Sequence, residues 1–260
     1  MRRDGNGRYR LGGAVALAAI WEAVARSGRL PAGVLPPLTT VVAALPTVLT
    51  GQGLGQDVLT SLTEIAVGLV IGYASGLAVG ALIGTNRLLH QATEPILYSL
   101  GAVPKIVLLP LLILLLGAGM GSKAGIATVS AFFPVAVATA AALQNMPRRF
   151  VDAARLLGAR GPRLWLTVYT PALLGPILTG LRIGLGVGTT GVLLAESSVA
   201  QNGLGLRAIQ LYSQLLVDQL YALLLLIFLV VLLLNTVLDA GIQRLTGVSS
   251  RRAVGADPFA

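Results

Sequence analysis

The chain has 260 residues, 55% of them hydrophobic and 11% charged, with 19 Lys and Arg against 10 Asp and Glu. Apolar runs near twenty residues long recur along it, which excludes an ordinary soluble domain and points to a polytopic, all-α membrane protein. It has no Cys and one His, His90, which excludes a disulfide framework and a Cys-based metal centre.

The runs predict six membrane-spanning helices, over 11–26, 60–84, 96–117, 123–144, 166–195 and 219–243, each close to the length that crosses a ~30 Å hydrocarbon core at about 1.5 Å per residue. They form one membrane domain over 11–250, with a polar loop at 145–165, a cytoplasmic tail at 1–10 and a disordered cytoplasmic tail at 251–260. The first run holds Trp21 and Glu22 and ends in Ala23-Val24-Ala25 after an Arg-rich start, which resembles a signal-peptidase site. Glu22 fits such a site poorly, and a retained helix gives the even count that keeps both basic ends on one side. Pro31, Pro36, Pro37 and Pro46 are expected to break 27–57 into an external loop with a short helix on the membrane surface.

In the second span, Gly68, Gly72, Gly76, Gly80 and Gly84 recur every four residues. That spacing puts them on one face and reads as a packing seam rather than a nucleotide loop. Charge inside a span costs ~3 kcal/mol or more unless it finds a partner or water, so Glu64, Lys105, Arg182, Glu196 and Asp239 are candidate functional groups. Lys105 follows Pro104, which loosens the helix and frees carbonyls that an ammonium could take up. Arg182 lies among Gly180, Gly184, Gly186 and Gly188 and could pair with an acid such as Glu196. Lys105 and Arg182 together could lower the barrier for an anion in a pathway, with Glu64 and Glu196 as further pathway candidates. Glu196 and Asp239, near span ends, also fit interfacial positions.

Between the fourth and fifth runs lies a polar island, Pro147 to Pro162, PRRFVDAARLLGARGP. Pro147 suits a helix start, and Phe150, Ala153, Ala154 and Leu157 fall on one face at i, i+3, i+4, i+7, with Arg148, Arg149 and Arg155 off it. Gly158 suits a left-handed helix end, and Gly161-Pro162 stops the helix from running into the next span. A positively charged loop that happens to be helical is the plain reading. After Glu196, Gln201-Asn202-Gly203-Leu204-Gly205 is rich in turn formers and reads as an external connection or contact surface.

With both ends inside, cytoplasmic segments hold Arg2, Arg3, Arg8, Arg10, Arg87, Arg148, Arg149, Arg155, Arg160, Arg163, Arg244, Arg251 and Arg252. External segments hold only Arg26, Arg29, Lys123 and Arg207. This asymmetry sets the orientation and explains the net charge without nucleic acid.

Asp152-Ala153-Ala154-Arg155, with Gly158, Leu164 and Pro171 after it, resembles the Glu-Ala-Ala motif of binding-protein-dependent ABC importer permeases. The resemblance covers nearly the whole chain. Leu35-Pro36-Pro37-Leu38-Thr39-Thr40-Val41, Ser61-Leu62, Val103-Pro104-Lys105-Ile106, Thr179-Gly180-Leu181-Arg182, Ala195-Glu196 and Gly203-Leu204-Gly205 resemble the nitrate, sulfonate and taurine branch. The resemblance implies the type I importer permease fold, with Phe150, Asp152, Ala153, Ala154, Arg155, Leu157 and Gly158 on a coupling helix. It also implies two ATP-binding cassette subunits, an extracytoplasmic solute-binding protein, and a second copy or homologous permease in the bacterial inner membrane. Asp152 stands where the family has Glu, and Glu64 where the branch has Arg, a charge reversal.

The chain has no GxxxxGK[ST] segment, so ATP and Mg are expected on the partner, with no cofactor here and no enzyme activity of its own. A secondary transporter is the alternative, but paired broken helices or several buried carboxylates are not evident in the sequence. A membrane enzyme lacks a catalytic cluster.

Overall fold

A computed structural model describes residues 5–29, 31 and 33–246. Arg2, Arg3 and the expected tail at 251–260 lie outside the described residues. Every regular element among those described is helical: α1 (Gly5–Arg26), α2 (Leu38–Leu49), α3 (Leu54–Thr85), α4 (Arg87–Ala102), α5 (Leu109–Leu116), α6 (Met120–Gln144), α7 (Arg148–Leu156), α8 (Pro162–Leu164), α9 (Thr170–Val199), α10 (Leu204–Ser213) and α11 (Val217–Thr246). A 3-10 turn, Lys105–Leu108, precedes α5, and a π turn, Trp165–Tyr169, precedes α9. An all-helical answer is what a bilayer imposes, because backbone donors there have no water to turn to.

The core is α3, α6 and α9. α3 and α6 run parallel, tied near their starts by Glu64 and Lys123 and near their ends by Gln144 Nε2 donating to the Gly84 carbonyl over 2.8 Å. The glycine seam lies between them, as its spacing predicts. A methyl group on Gly72 would sit 2.6 Å from the Thr128 carbonyl oxygen, and one on Gly76 2.8 Å from that of Phe132. Only hydrogen fits there, so the two backbones meet directly. α9 returns in the opposite sense, with Gly180, Gly184 and Gly188 against α6 and α3, whereas Gly186 faces open space. The glycines around Arg182 therefore do not all serve close approach.

By length and composition four helices among the described residues can cross a membrane, over 54–85, 120–144, 173–199 and 217–241, and five if the bent pair α4 and α5 counts as one broken span. That pair is bent by 87°, which corrects the straight span expected over 96–117. Val103 is extended ahead of Pro104 (φ −62°, ψ 132°), the conformation a following proline enforces. α1 is helical where the first span is expected but is not among the four, and it carries Arg8, Arg10, Glu22 and Arg26. Trp21 Nε1 donates to the Pro36 carbonyl at 2.9 Å, and Glu22 accepts from the Thr39 hydroxyl at 2.9 Å. Glu22 thus ties α1 to α2.

The segment 27–57 differs from expectation. α2 does not lie free on a surface: its Val41 and Val48 are buried with Leu54, Leu204, Ala222 and Leu223, and Pro46 sits inside it rather than ending it. Lys123, expected in a loop, is in the first turn of α6. The bundle therefore has two unlike ends, one capped by α2 and α10 and the other carrying α7.

Candidate functional site

At the α7 end the polar island folds as its sequence predicts, with one adjustment: Pro147 immediately precedes the helix instead of opening it. Gly158 has φ +84°. The Gly158 N–H donates to the Arg155 carbonyl and the Ala159 N–H to the Ala154 carbonyl, each over 2.9 Å, so the last helical carbonyls are satisfied as in a glycine-terminated helix end. The expected apolar face divides. Ala154 and Val151 turn partly inward, whereas Asp152, Ala153 and Arg155 are exposed, and Phe150 and Leu157 expose 53% and 87% of their surface. Leu156, at 89%, adds to this uncovered patch. A charged helix that also bares three large apolar side chains presents a surface suited to another protein.

Two cavities flank α7. One, of about 870 Å³, lies between α6, α7 and α9 and is lined mainly by apolar groups with Asn145, Thr167 and Thr179 among them. The other, of about 330 Å³, brings Asp152 and Arg155 to the corner between α3 and α4, facing Arg87 and Gln144. α7 thus borders cavities lined by α3, α6 and α9 residues, and connects to α9 through α8 and the π turn. Such turns occur frequently at functional sites.

The in-span charges are all engaged within the subunit. Lys105 Nζ donates to the carbonyls of Leu100, Gly101 and Val103, at 3.1, 2.6 and 2.5 Å, and lies 5.0 Å from the centre of the Phe133 ring. These are the carbonyls freed by the break at Pro104. Arg182 pairs with Asp239 at 2.7 Å and not with Glu196, because its position on α9 faces α11. Both side chains of that pair are about two-fifths exposed (40% and 39%), so it borders open space.

The remaining two candidates meet at the α10 end. Glu64 Oε1 accepts from Lys123 Nζ at 2.8 Å. Glu196 is fully buried, not interfacial; its Oε1 accepts from the Ser61 hydroxyl at 2.6 Å and its Oε2 from the Gly205 N–H at 2.7 Å. Ser61 in turn accepts from the Leu204 N–H at 2.9 Å, and Asp57 pairs with Arg207 at 2.6 Å and accepts from the Gly203 N–H at 3.0 Å. Gly203 has φ +126°, and a methyl group there would lie 2.5 Å from the Glu196 carboxyl. The Gly-Leu-Gly turn is thus moulded on that carboxylate. Asp57 and Lys123 were not singled out by sequence reasoning, although Asp57, Ser61 and Glu64 at spacings of four and three mark one polar stripe on an apolar helix.

The family model described as the binding-protein-dependent transport system inner membrane component matches residues 68–246. A probable ABC transporter permease protein of Haemophilus influenzae is 33% identical over 81% of this chain and 85% of its own. The taurine transport system permease protein of Escherichia coli is 34% identical over 75% of this chain and 73% of its own, in keeping with the branch that the motifs resemble. Among solved structures, the inward-facing MetNI methionine ABC transporter aligns with a TM-score of 0.64 at 23% identity, covering 74% of this chain and 95% of that one, a likeness of fold. Helical spans, an exposed helix in the connection between two of them, and a match over most of the chain agree: this protein belongs to the inner-membrane components of binding-protein-dependent transport systems.

Proposed function

We propose that this chain is the permease subunit of an ATP-driven importer and forms the translocation pathway for a small anionic solute, of the taurine, sulfonate or nitrate kind, delivered by an extracytoplasmic binding protein. The observation that carries the reading is α7. It is amphipathic, exposed and closed by a left-handed glycine, and it is connected to the spans through a π turn and two cavities. In this reading α7 is the coupling helix. Phe150, Asp152, Ala153, Ala154, Arg155, Leu157 and Gly158 dock into an ATP-binding cassette subunit, and closure of two such subunits rotates the spans as rigid bodies.

The α7 end is cytoplasmic and the α10 end external, the orientation that the distribution of Arg supports. A second copy or a homologous permease completes the pathway, and ATP and Mg reside on the partner subunits. Arg182, bordering open space beside Asp239, and Lys105 contribute a positive field for an anion. Glu64 and Glu196 hold the external end together around it.

The test is gentle purification of the tagged chain from its own host with identification of what accompanies it. An ATP-binding cassette subunit in equal amount, together with a binding protein whose bound ligand is an anion, is the expected result. A chain that comes out alone and transports in liposomes without ATP overturns the reading.

A further inference from the structure

α7 rests lightly on the bundle. It packs chiefly against its neighbours in the chain, α8 and the π turn, and none of its described side chains is buried. Between it and the spans lie the two cavities, and they differ in chemistry. The smaller is polar, with Arg87 at the start of α4 and Arg155 on α7 lining it beside Asp152, Gln144 and Tyr169. The larger is mostly apolar. Met146 lines both, so they adjoin at one side chain that adapts its shape readily.

The chain does not balance the charge in the polar cavity. Two guanidiniums line it with one carboxylate, and neither Arg87 nor Arg155 takes part in an ion pair among the described residues. Gln144 commits its Nε2 to the Gly84 carbonyl, which leaves its amide oxygen as an acceptor. Paired guanidiniums suit a phosphate, which takes two parallel N–H donors from each planar fork, and basic pockets between spans take lipid head groups. Leu82 and Leu88, within a turn of this corner on α3 and α4, are 65% and 78% exposed; in a membrane such surface meets lipid. A free anion would use the arginines and leave the apolar cavity empty, whereas an amphiphile uses both.

We propose that the adjoining cavities bind one anionic phospholipid with a single phosphodiester and a hydroxylated head group, of the phosphatidylglycerol kind. Arg87 and Arg155 hold the phosphate, Asp152 and the Gln144 amide oxygen accept from head-group hydroxyls, and an acyl chain passes Met146 into the apolar cavity. The lipid fills the space behind α7 and ties that helix to the start of α4. The inference needs the spans to lie in a membrane; it does not need α7 to dock on an ATP-binding cassette subunit.

The experiment follows the melting temperature of the purified full chain in mild detergent as phosphatidylglycerol, phosphatidylcholine or inorganic phosphate is added, for wild type, Arg87→Gln, Arg155→Gln and Arg160→Gln. A ligand that binds only the folded chain raises the melting temperature with its concentration. The expected result is a saturable rise with phosphatidylglycerol and none with the other two. About tenfold more lipid is needed in Arg87→Gln and in Arg155→Gln, the loss of one charge-assisted contact, whereas Arg160→Gln, exposed and outside the cavity lining, behaves as wild type. An equal rise with phosphatidylcholine overturns the proposal, by making the effect one of bulk lipid, and an equal rise with inorganic phosphate overturns it by making the site one for a free anion. A phosphatidylglycerol response unchanged in both cavity variants overturns it as well. So does the absence of any lipid response together with loss of a co-purifying ATP-binding cassette subunit in Arg87→Gln, which would give the cavity to an acidic side chain of that partner. The wild-type comparison of lipids requires no partner, so it can succeed where the importer reading fails and fail where that reading holds.

Discussion

Arg182 Nε donates to Asp239 Oδ1 over 2.7 Å and so joins α9 to α11 midway along the bundle. Both side chains keep about two-fifths of their surface open, and a partly solvated pair of this kind adds only about 0–1 kcal/mol to stability. In the proposed pathway its worth is the charge that it holds beside open space. Arg182→Gln is expected to leave the melting temperature almost unchanged while lowering uptake of an anionic solute by about tenfold or more. Unaltered uptake by a well-expressed variant would remove Arg182 from the pathway.

Lys105 satisfies three carbonyls released at the Pro104 break. Lys105→Met keeps the length of the side chain but abolishes these bonds and the contact with Phe133. Only the Gly101 carbonyl is part-buried, the bonds to Leu100 and Val103 being exposed, so loss of the bonds should cost about 0.5–1.5 kcal/mol and lower the melting temperature modestly. If it melts with the wild type, the carbonyls have found water and the kink does not need its lysine.

The seam between α3 and α6 predicts an asymmetry among glycines. Gly72→Val drives carbon into the Thr128 carbonyl, and overpacking of this kind costs about 1–3 kcal/mol or more; little monodisperse protein should be recovered. Gly186→Ala, with nothing within 4 Å of the added carbon, should be recovered normally. Size-exclusion profiles in one detergent compare the two directly.

Gly158 occupies a left-handed conformation with open space around it. Gly158→Asp adds backbone strain of roughly 1–2 kcal/mol and a charge on the proposed docking surface, and Asp152→Lys reverses a charge there. Both should abolish solute-stimulated ATP hydrolysis and uptake in the assembled complex while membrane insertion stays normal. Full stimulation in either variant would argue that α7 is only a connecting helix.

The α7 helix, its glycine end and the glycine seam were legible in the sequence because each is a local or periodic property: side-chain spacing decides a helix face, and only glycine allows a positive φ or backbone contact without strain. The need for a partner at every in-span charge was legible for the same reason, since hydrocarbon penalises an isolated charge wherever it sits. The partners themselves were not. Glu196 seemed interfacial by its place near a helix end, and it is the most enclosed carboxylate of the external network because the chain folds back through Gly203 and Gly205 to cover it. Arg182 found Asp239, 57 residues away, and Lys123 found Glu64, 59 residues away. The third span broke by 87°, although Pro104 announced only that its helix would be disturbed.

Composition and periodicity thus determined by themselves that this is a helical membrane protein with an exposed basic helix between two of its spans, because those properties depend on residues a few positions apart and on the solvent they meet. Which charges neutralise one another was decided only by tertiary packing. Those distances depend on how α3, α6, α9 and α11 are rotated and set against one another, and no local pattern encodes that rotation.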